Sequence, residues 1–569
     1  MTHSAGRGLR LLVLALVLGG LVGPIVAGLY HTVVAAFGGL PGRAGSGDWT
    51  QPWADLAALP GVASSVGFSL WTGLAATALS LGLGFGLIAL CYDHGGRGRW
   101  AQVLTPFLAA PHSAMAVGLA FVIAPSGWIA RMISPWPSGW TIPPDLGTVH
   151  DPLGIALILG LVVKELPFLM LVSVAALGQI GVRHHQAAGR AMGYGAAQVW
   201  MLIILPQLYP LIRLPVYVVL AFSLSVVDMA IILGPSNPPT LAVAMTRWFT
   251  ASDLGFFAPA SAAALVLTAM AGMAIAFWAL MMRTVGWLGR GWLRRGIRGR
   301  GKSVVGIVGG LAGLPLVLGA LSLLAVIVWS LTRRWSFPRA WPEGWSLTAW
   351  MQPGSGWHDP LVQTMVIGGL ATGLSLILTI MWLEGESRGN FRRATWAKAL
   401  IYLPLMVPQV AFLFGLHVVF LRLGIGGNLG AVIWAHTIFV FPYVMLALSD
   451  PWHAFDPRLM HTAAALGASP LRQLVLVRMP CLTGPILTAL SIGFAVSVAQ
   501  YLPTLFMGAG RVSTLTTEAV SLSSGGDRRI SGVFAVLQSI LPLIVYGLAL
   551  LLPAVIFRNR RGLRAGGAG

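Results

Sequence analysis

Runs of 18 or more residues without a charged side chain recur along the whole of this chain. At 1.5 Å per residue such a run crosses the roughly 30 Å hydrocarbon layer of a bilayer as a helix, which satisfies its own backbone polar groups where no water can. A soluble chain of 569 residues would divide into several domains, each with enough charge to cover its surface. Here only 9% of residues are charged and 56% are hydrophobic. The sequence therefore specifies an all-α polytopic membrane protein.

A net charge of +20 invites a nucleic-acid reading, but the placement of the charges argues against it. Arginines cluster at Arg7 and Arg10, at Arg97 and Arg99, from Arg283 to Lys302, at Arg388, Arg392 and Arg393, and from Arg558 to Arg564. These are short segments flanking apolar runs, where basic residues fix orientation by staying in the cytoplasm. Arg333, Arg334, Arg339, Arg528 and Arg529 depart from the rule and fall on the opposite side. The two cysteines, Cys91 and Cys481, support no disulfide framework. The first apolar run, Leu11 to Tyr30, reads as an uncleaved span rather than a signal peptide, because no small-x-small cleavage site stands out.

The hydropathy pattern predicts about twelve spans. They fall near 9–32, 64–91, 103–124, 152–178, 209–234 and 257–282, then 304–331, 361–383, 397–421, 429–449, 485–507 and 533–557. The two sets repeat each other. Gly73-Leu-Ala-Ala-Thr-Ala-Leu-Ser80 is echoed by Gly369-Leu-Ala-Thr-Gly-Leu-Ser375. Pro111 stands seven residues before Gly118, and Pro408 seven before Gly415; Phe222 precedes Asp228 by six, and Phe494 precedes Gln500 by six. Thr240-Leu241 recurs as Thr514-Leu515. The expected organisation is one six-helix unit in 1–282, a basic cytoplasmic linker in 283–303, and a second unit in 304–569. An even number of spans per unit makes the repeats parallel, able to pack about an axis normal to the membrane with a pathway between them. Both termini fall in the cytoplasm. On the other side Trp49, Trp53, Trp128, Trp136, Trp140, Trp335, Trp341 and Trp345 suit an interfacial belt or a docking surface.

Within each unit one cytoplasmic stretch has the same layout, Ala187 to Pro206 and His461 to Pro480. Small residues lead to a glycine, Gly193 or Gly467, and a proline follows thirteen positions later. The glycine can take the left-handed conformation that ends a helix. A second helix then begins, and Pro206 or Pro480 is expected to break it before the next span. Each stretch should form a helix-turn-helix projecting from the bilayer.

These stretches resemble the EAA loop of permease subunits in bacterial ABC importers: Glu-Ala-Ala, three residues, Gly, nine residues, Ile, one residue, Leu-Pro. Gly193, Ile203, Leu205 and Pro206 match in register, and Arg190 fits a common basic position. In the second copy Ala463, Gly467 and Pro480 match, with Val477 and Met479 as conservative stand-ins. Ala187 and His461 stand where the acidic residue belongs, so docking here would rest on shape and apolar contact. The resemblance implies the type I importer permease fold in a bacterial inner membrane, without a cofactor of its own. It also implies two copies of a cytoplasmic ATPase, one per loop, and a periplasmic solute-binding protein. The fused arrangement is similar to permeases of the iron(III), thiamine, molybdate/sulfate and polyamine branch. The text around Lys164-Glu-Leu-Pro167 is nearest those assigned to thiamine uptake.

Ionisable groups inside spans are costly and mark cavities or partners. Asp228 and its repeat counterpart Gln500 are candidates for the pathway lining, where a carboxylate would favour a cation; the alternative is an ion pair of Asp228 with Lys164 or Arg213 that locks helices together. Lys164 and Glu165 are pathway candidates too, and read first as structural. Gly296-Ile-Arg-Gly-Arg-Gly301-Lys302-Ser303 fits the P-loop pattern but lacks the preceding strand and any nucleotide domain, so it reads as linker. No metal-ligand spacing and no nucleophile–base constellation is visible, which leaves an enzyme the weakest rival. A secondary transporter with duplicated halves is the better rival, although it has no use for two proline-terminated docking loops.

Overall fold

The structure is a computed structural model describing residues 12–39, 48–92, 104–296, 302–351, 356–388 and 401–558. Arg7, Arg10, Arg97, Arg99, Arg392, Arg393, the centre of the P-loop-like stretch (297–301) and the tail beyond Arg558 lie outside the described residues. Among the described residues ten helices are long and apolar enough to cross a membrane, or eleven if one bent pair counts as a single span.

The first six positions are occupied as follows. Helix α1 is Leu12–Ala36, α2 the short Gln51–Ala58, and α3 Val62–Cys91. Helix α4 is His112–Ile123, followed by the short α5, Trp128–Met132, and by α6, Ile155–Leu177. Helix α7, Val182–Ala191, leads to α8, Ala196–Ser225. Two short helices, α9 (Asp228–Leu233) and α10 (Leu241–Phe249), precede the long α11, Phe257–Arg294. The rest of the chain follows a similar but not identical order. Helices α12 (Lys302–Leu311) and α13 (Gly313–Ser330) lead to a two-stranded hairpin, β1 (Thr332–Arg334) with β2 (Gly344–Trp345). Then come α14 (His358–Arg388), the 14-residue α15 (Gln409–Arg422) and α16 (Leu429–His453). They are followed by α17 (Pro457–Ala465), α18 (Pro470–Cys481), α19 (Thr483–Val498), α20 (Leu502–Gly508), α21 (Leu515–Ser523) and α22 (Arg528–Ile556).

Tertiary contacts recur at matching positions. Ser69 Oγ on α3 accepts the Leu241 N–H at 2.9 Å, and Thr364 Oγ1 on α14 accepts the Leu515 N–H at 2.9 Å. Gly73 lies against Leu224, and Gly368 against Phe494. By packing, the counterpart of Gly73 is thus Gly368 rather than Gly369, the residue that the echoed text would align with it; Gly369 faces open space.

The early and late parts of the chain interlock through glycine. Helix α1 packs on α15, where a Cβ on Gly415 would collide with the Gly28 carbonyl and one on Gly28 with that of Phe412. Helix α13 packs on α4, where a Cβ on Gly118 would collide with the Ser322 carbonyl. Without a hydrophobic force between helices in lipid, such close backbone approach is what holds them together.

Several expected boundaries change, and the ninth span, expected at 397–421, is helical as a long run only over the 14 residues of α15. The sixth span continues as helix well past residue 282, to Arg294, because apolar Val285, Leu288 and Trp292 and helix-favouring arginines extend it. The fifth span is broken. Helix α8 ends at Ser225, Val226 is extended, and α9 starts at Asp228. The eleventh position is broken likewise between Val498 and Leu502.

Candidate functional site

Each of the two turned loops is built by the same backbone bonds. After α7 the Gly193 N–H reaches the Arg190 carbonyl at 3.0 Å and the Tyr194 N–H reaches that of Gly189 at 2.9 Å. After α17 the Gly467 N–H reaches Ala464 and the Ala468 N–H reaches Ala463, both at 3.0 Å. This pattern ends a helix with one left-handed residue, and Gly193 and Gly467 have φ of 79° and 80°. Arg190 is exposed beside the first turn. In the second loop Leu466 and Leu471 are 83% and 70% exposed, and Leu476 is exposed with them. Ile203, Val477 and Met479 are half-buried on the helices that return to the bundle.

The prolines act differently from expectation. Pro206 does not break its helix: Ala196–Ser225 runs without interruption. A π-turn, Trp200–Ile204, comes just before Leu205 and Pro206, with the Leu205 N–H bonded to the Trp200 carbonyl. Proline lacks an N–H, and its ring crowds the carbonyl four residues back; the widened turn accommodates both. The same π-turn occurs at Leu474–Arg478, with the Met479 N–H on the Leu474 carbonyl. Pro480 does stand close to a break, because α18 and α19 meet at an angle of 80°.

The loops are held to the bundle by different forces. The first buries Val182, Gln186 and Gly189, with Gly189 pressed against Val199, and Ile204 is fully buried. Helix α17 buries nothing. The second loop is held by charge instead. Buried Glu384, on α14, receives Arg478 Nη1 at 2.8 Å and Arg388 Nε at 2.6 Å. Arg388 Nη2 continues to the Pro470 carbonyl at 2.8 Å. The Arg478 guanidinium lies over the rings of Trp452 and Phe455, 4.5 and 5.2 Å from their centres. Glu384 and Arg478 are 94 residues apart, and no periodicity of the sequence links them.

The second part of the site is a polar centre at the middle of the bundle. Lys164 Nζ donates to the carbonyls of Phe107 at 2.7 Å, Leu108 at 3.1 Å and Ala110. It thereby closes the backbone where the chain breaks before Pro111, the structural role expected first. Glu165 faces His112 Nε2 at 3.3 Å. Asp228 is buried at the start of α9. It forms no salt bridge among the described residues, and Arg213 is exposed. The lock between Asp228 and Lys164 or Arg213 is therefore absent: the lysine is spent on carbonyls. His112 and Lys164 are within electrostatic reach of Asp228. So is Tyr501, and Tyr443 is within reach of Glu165. Gln500 is buried next to Tyr501, at the break after α19. His112, Tyr443 and Tyr501 carry no charge pattern that the sequence alone would single out; His112 is signalled only by its place after Pro111, the position of Gln409 after Pro408.

Among the described residues no group of three or more His, Cys, Asp or Glu side chains is arranged to hold a metal ion. Cys91 and Cys481 are free thiols.

No protein-family model matches the chain. It is 31% identical over 471 residues to the inner membrane ABC transporter permease protein YnjC of Escherichia coli K12, across 82% of this chain and 84% of that one. It is 24% identical over 232 residues to the permease PhnV of Salmonella typhimurium, provisionally named for 2-aminoethylphosphonate transport; this is 40% of this chain and 86% of PhnV. It is 22% identical over 199 residues to the spermidine/putrescine permease PotC of Haemophilus influenzae, 34% of this chain and 77% of PotC. By these shares PhnV and PotC are each less than half as long as the chain.

Proposed function

Because this chain belongs to the permease subunits of bacterial inner-membrane ATP-binding-cassette importers, we propose that it works as two permease units in one polypeptide, 1–282 and 304–569, joined by the segment 283–303. The transport partners of such a subunit are an ATPase and a solute-binding protein. In this reading the loops turned at Gly193 and Gly467 each seat in one copy of the ATPase. Both termini lie on the ATPase side, and solute enters from the binding protein on the other. What supports the reading is the recurrence of one construction, a glycine-turned helix pair followed by a π-turn and a proline, at equivalent places in the chain. A secondary transporter would have no need of it.

The solute is placed among small organic cations, the class that contains thiamine and the polyamines. Two observations support this. Buried Asp228 and Glu165 carry no arginine or lysine salt-bridge partner among the described residues. PotC is named for polyamines, which are cations, whereas the 2-aminoethylphosphonate for which PhnV is named is not one. Asp228, with Gln500 at the equivalent break, would line the route, while Lys164 shapes it by holding the backbone before Pro111.

The test is co-purification of the chain with its ATPase subunit, followed by ATP-driven uptake in proteoliposomes supplied with the binding protein. Gly193→Val with Gly467→Val should leave the chain folded and abolish both co-purification and uptake, since a β-branched residue resists the left-handed conformation. Uptake that persists without any ATPase would refute the proposal.

A further inference from the structure

At the end of the bundle opposite the turned loops, a concavity of about 470 Å³ opens between α5, the end of α13 with β1, and the start of α22. Its lining includes Arg131, Arg333, Arg528 and Arg529 against one acid, Asp527. Arg333, Arg528 and Arg529 are among the arginines whose placement breaks the charge rule of the rest of the chain, and the transport reading leaves them without a role.

The acid is already spent. Asp527 is gripped by Arg529 at 2.8 and 3.0 Å, and that contact holds its carboxyl below the usual carboxylate range. Arg131 is only 4% exposed and has no carboxylate bonded to it. It donates through Nε to the Ser126 carbonyl at 2.9 Å and through Nη1 to those of Ser336 at 2.9 Å and Arg339 at 3.4 Å. Arg528 donates to the same Ser126, to its carbonyl at 3.0 Å and to its Oγ at 2.6 Å. Both guanidinium groups lie against the Trp329 ring, at 5.6 and 5.1 Å, and they are within electrostatic reach of each other. Arg131 Nη2 and Arg528 Nε keep N–H donors with no protein acceptor among the described residues.

Glu343 is within electrostatic reach of Arg131 but is already shared by Arg334 and Arg339. Two like charges set side by side, fixed by carbonyls and rings with no carboxylate bonded to either among the described residues, repel each other and are costly to bury. A bound anion removes that cost, and a rigid guanidinium pair matches an anion with several oxygens. The concavity lies where three spanning segments end, the depth of lipid headgroups, among Trp329 and Trp335. We propose that it is a binding site for a phosphate-class oxyanion, supplied either by a phospholipid headgroup or by a free phosphate. The site is independent of the coupling loops and of the transport reading.

The full-length chain, delipidated in a neutral detergent, is titrated with inorganic phosphate against chloride at matched ionic strength. In a second arm it is titrated with dihexanoyl phosphatidylglycerol against uncharged dihexanoylglycerol. The thermal midpoint gives saturation, and native mass spectrometry gives the bound species. Saturable stabilisation by both phosphate compounds is expected, with half-saturation in Arg528→Gln raised roughly tenfold or more, and that of Arg213→Gln, exposed on α8, unchanged. Tighter binding of phosphatidylglycerol than of phosphate assigns the site to lipid, and the reverse order assigns it to a free anion. An identical response of wild type and Arg528→Gln, or phosphate acting no better than chloride, overturns the proposal. If Arg528→Gln does not fold, Arg333→Gln replaces it, since the Arg333 side chain makes no hydrogen bond or ion pair among the described residues; only its carbonyl is used, by Arg529 Nη1 at 3.3 Å.

Discussion

Single residues decide how the second loop is held. Glu384 is the buried counter-charge shared by Arg478 and Arg388, so its removal leaves Arg478 buried without a carboxylate bonded to it. Glu384→Ala should cost about 3–5 kcal/mol, read as a lower thermal midpoint of the purified chain. An unchanged midpoint would mean that the network carries no weight. Positions 89 and 204 of the first half, equivalent to 384 and 478, hold Ala89 and Ile204, which makes the first loop indifferent to charge there. Asp228 is a different case: it makes no side-chain lock, so Asp228→Asn should fold at the wild-type level yet lose most uptake of a cationic solute in proteoliposomes. Uptake at the wild-type rate would remove Asp228 from the route. Gly193, Gly467 and Asp228 were legible because a glycine turn and a charge in an apolar run are local signals. Glu384, His112, Tyr443 and Tyr501 were not, because their significance comes only from what the fold brings beside them.

At the level of elements, hydropathy located the spans, since apolar length is what a bilayer demands. The breaks inside the fifth and eleventh spans were invisible: Val226-Val227 and Ala499-Gln500 contain neither glycine nor proline. The role of Pro206 was misjudged for a related reason. Proline signals an interrupted helix, yet a π-turn absorbs the missing bond and leaves the helix unbroken. Pro206→Ala supplies the absent N–H and should let the turn tighten to α geometry, rotating the loop relative to α8. The expected outcome is a folded chain whose ATPase is no longer stimulated by the loaded binding protein; stimulation at the wild-type level would show that the π-turn has no part in coupling. Packing between elements is equally specific. Gly415→Val inserts side-chain atoms where the α1 backbone passes, and should separate α1 from α15. A disulfide cross-link engineered between those helices should then fail to form, whereas its formation at the wild-type yield would contradict the close crossing.

For the whole molecule the proposed function fixes a count: if one chain carries both permease units and both loops, one chain should recruit two ATPase subunits. The interlock of α1 with α15 and of α13 with α4 ties early and late segments together, as two units sharing one bilayer would require. The repeat was readable in the sequence from its glycines, prolines and offsets. The interlock was not, because no local pattern records which helix a glycine faces. The most direct test is native mass spectrometry of the complex purified with its ATPase. One copy of this 60.1 kDa chain with two ATPase subunits is expected. Two copies of the chain with two ATPase subunits would contradict it, because each loop pair would then be half used.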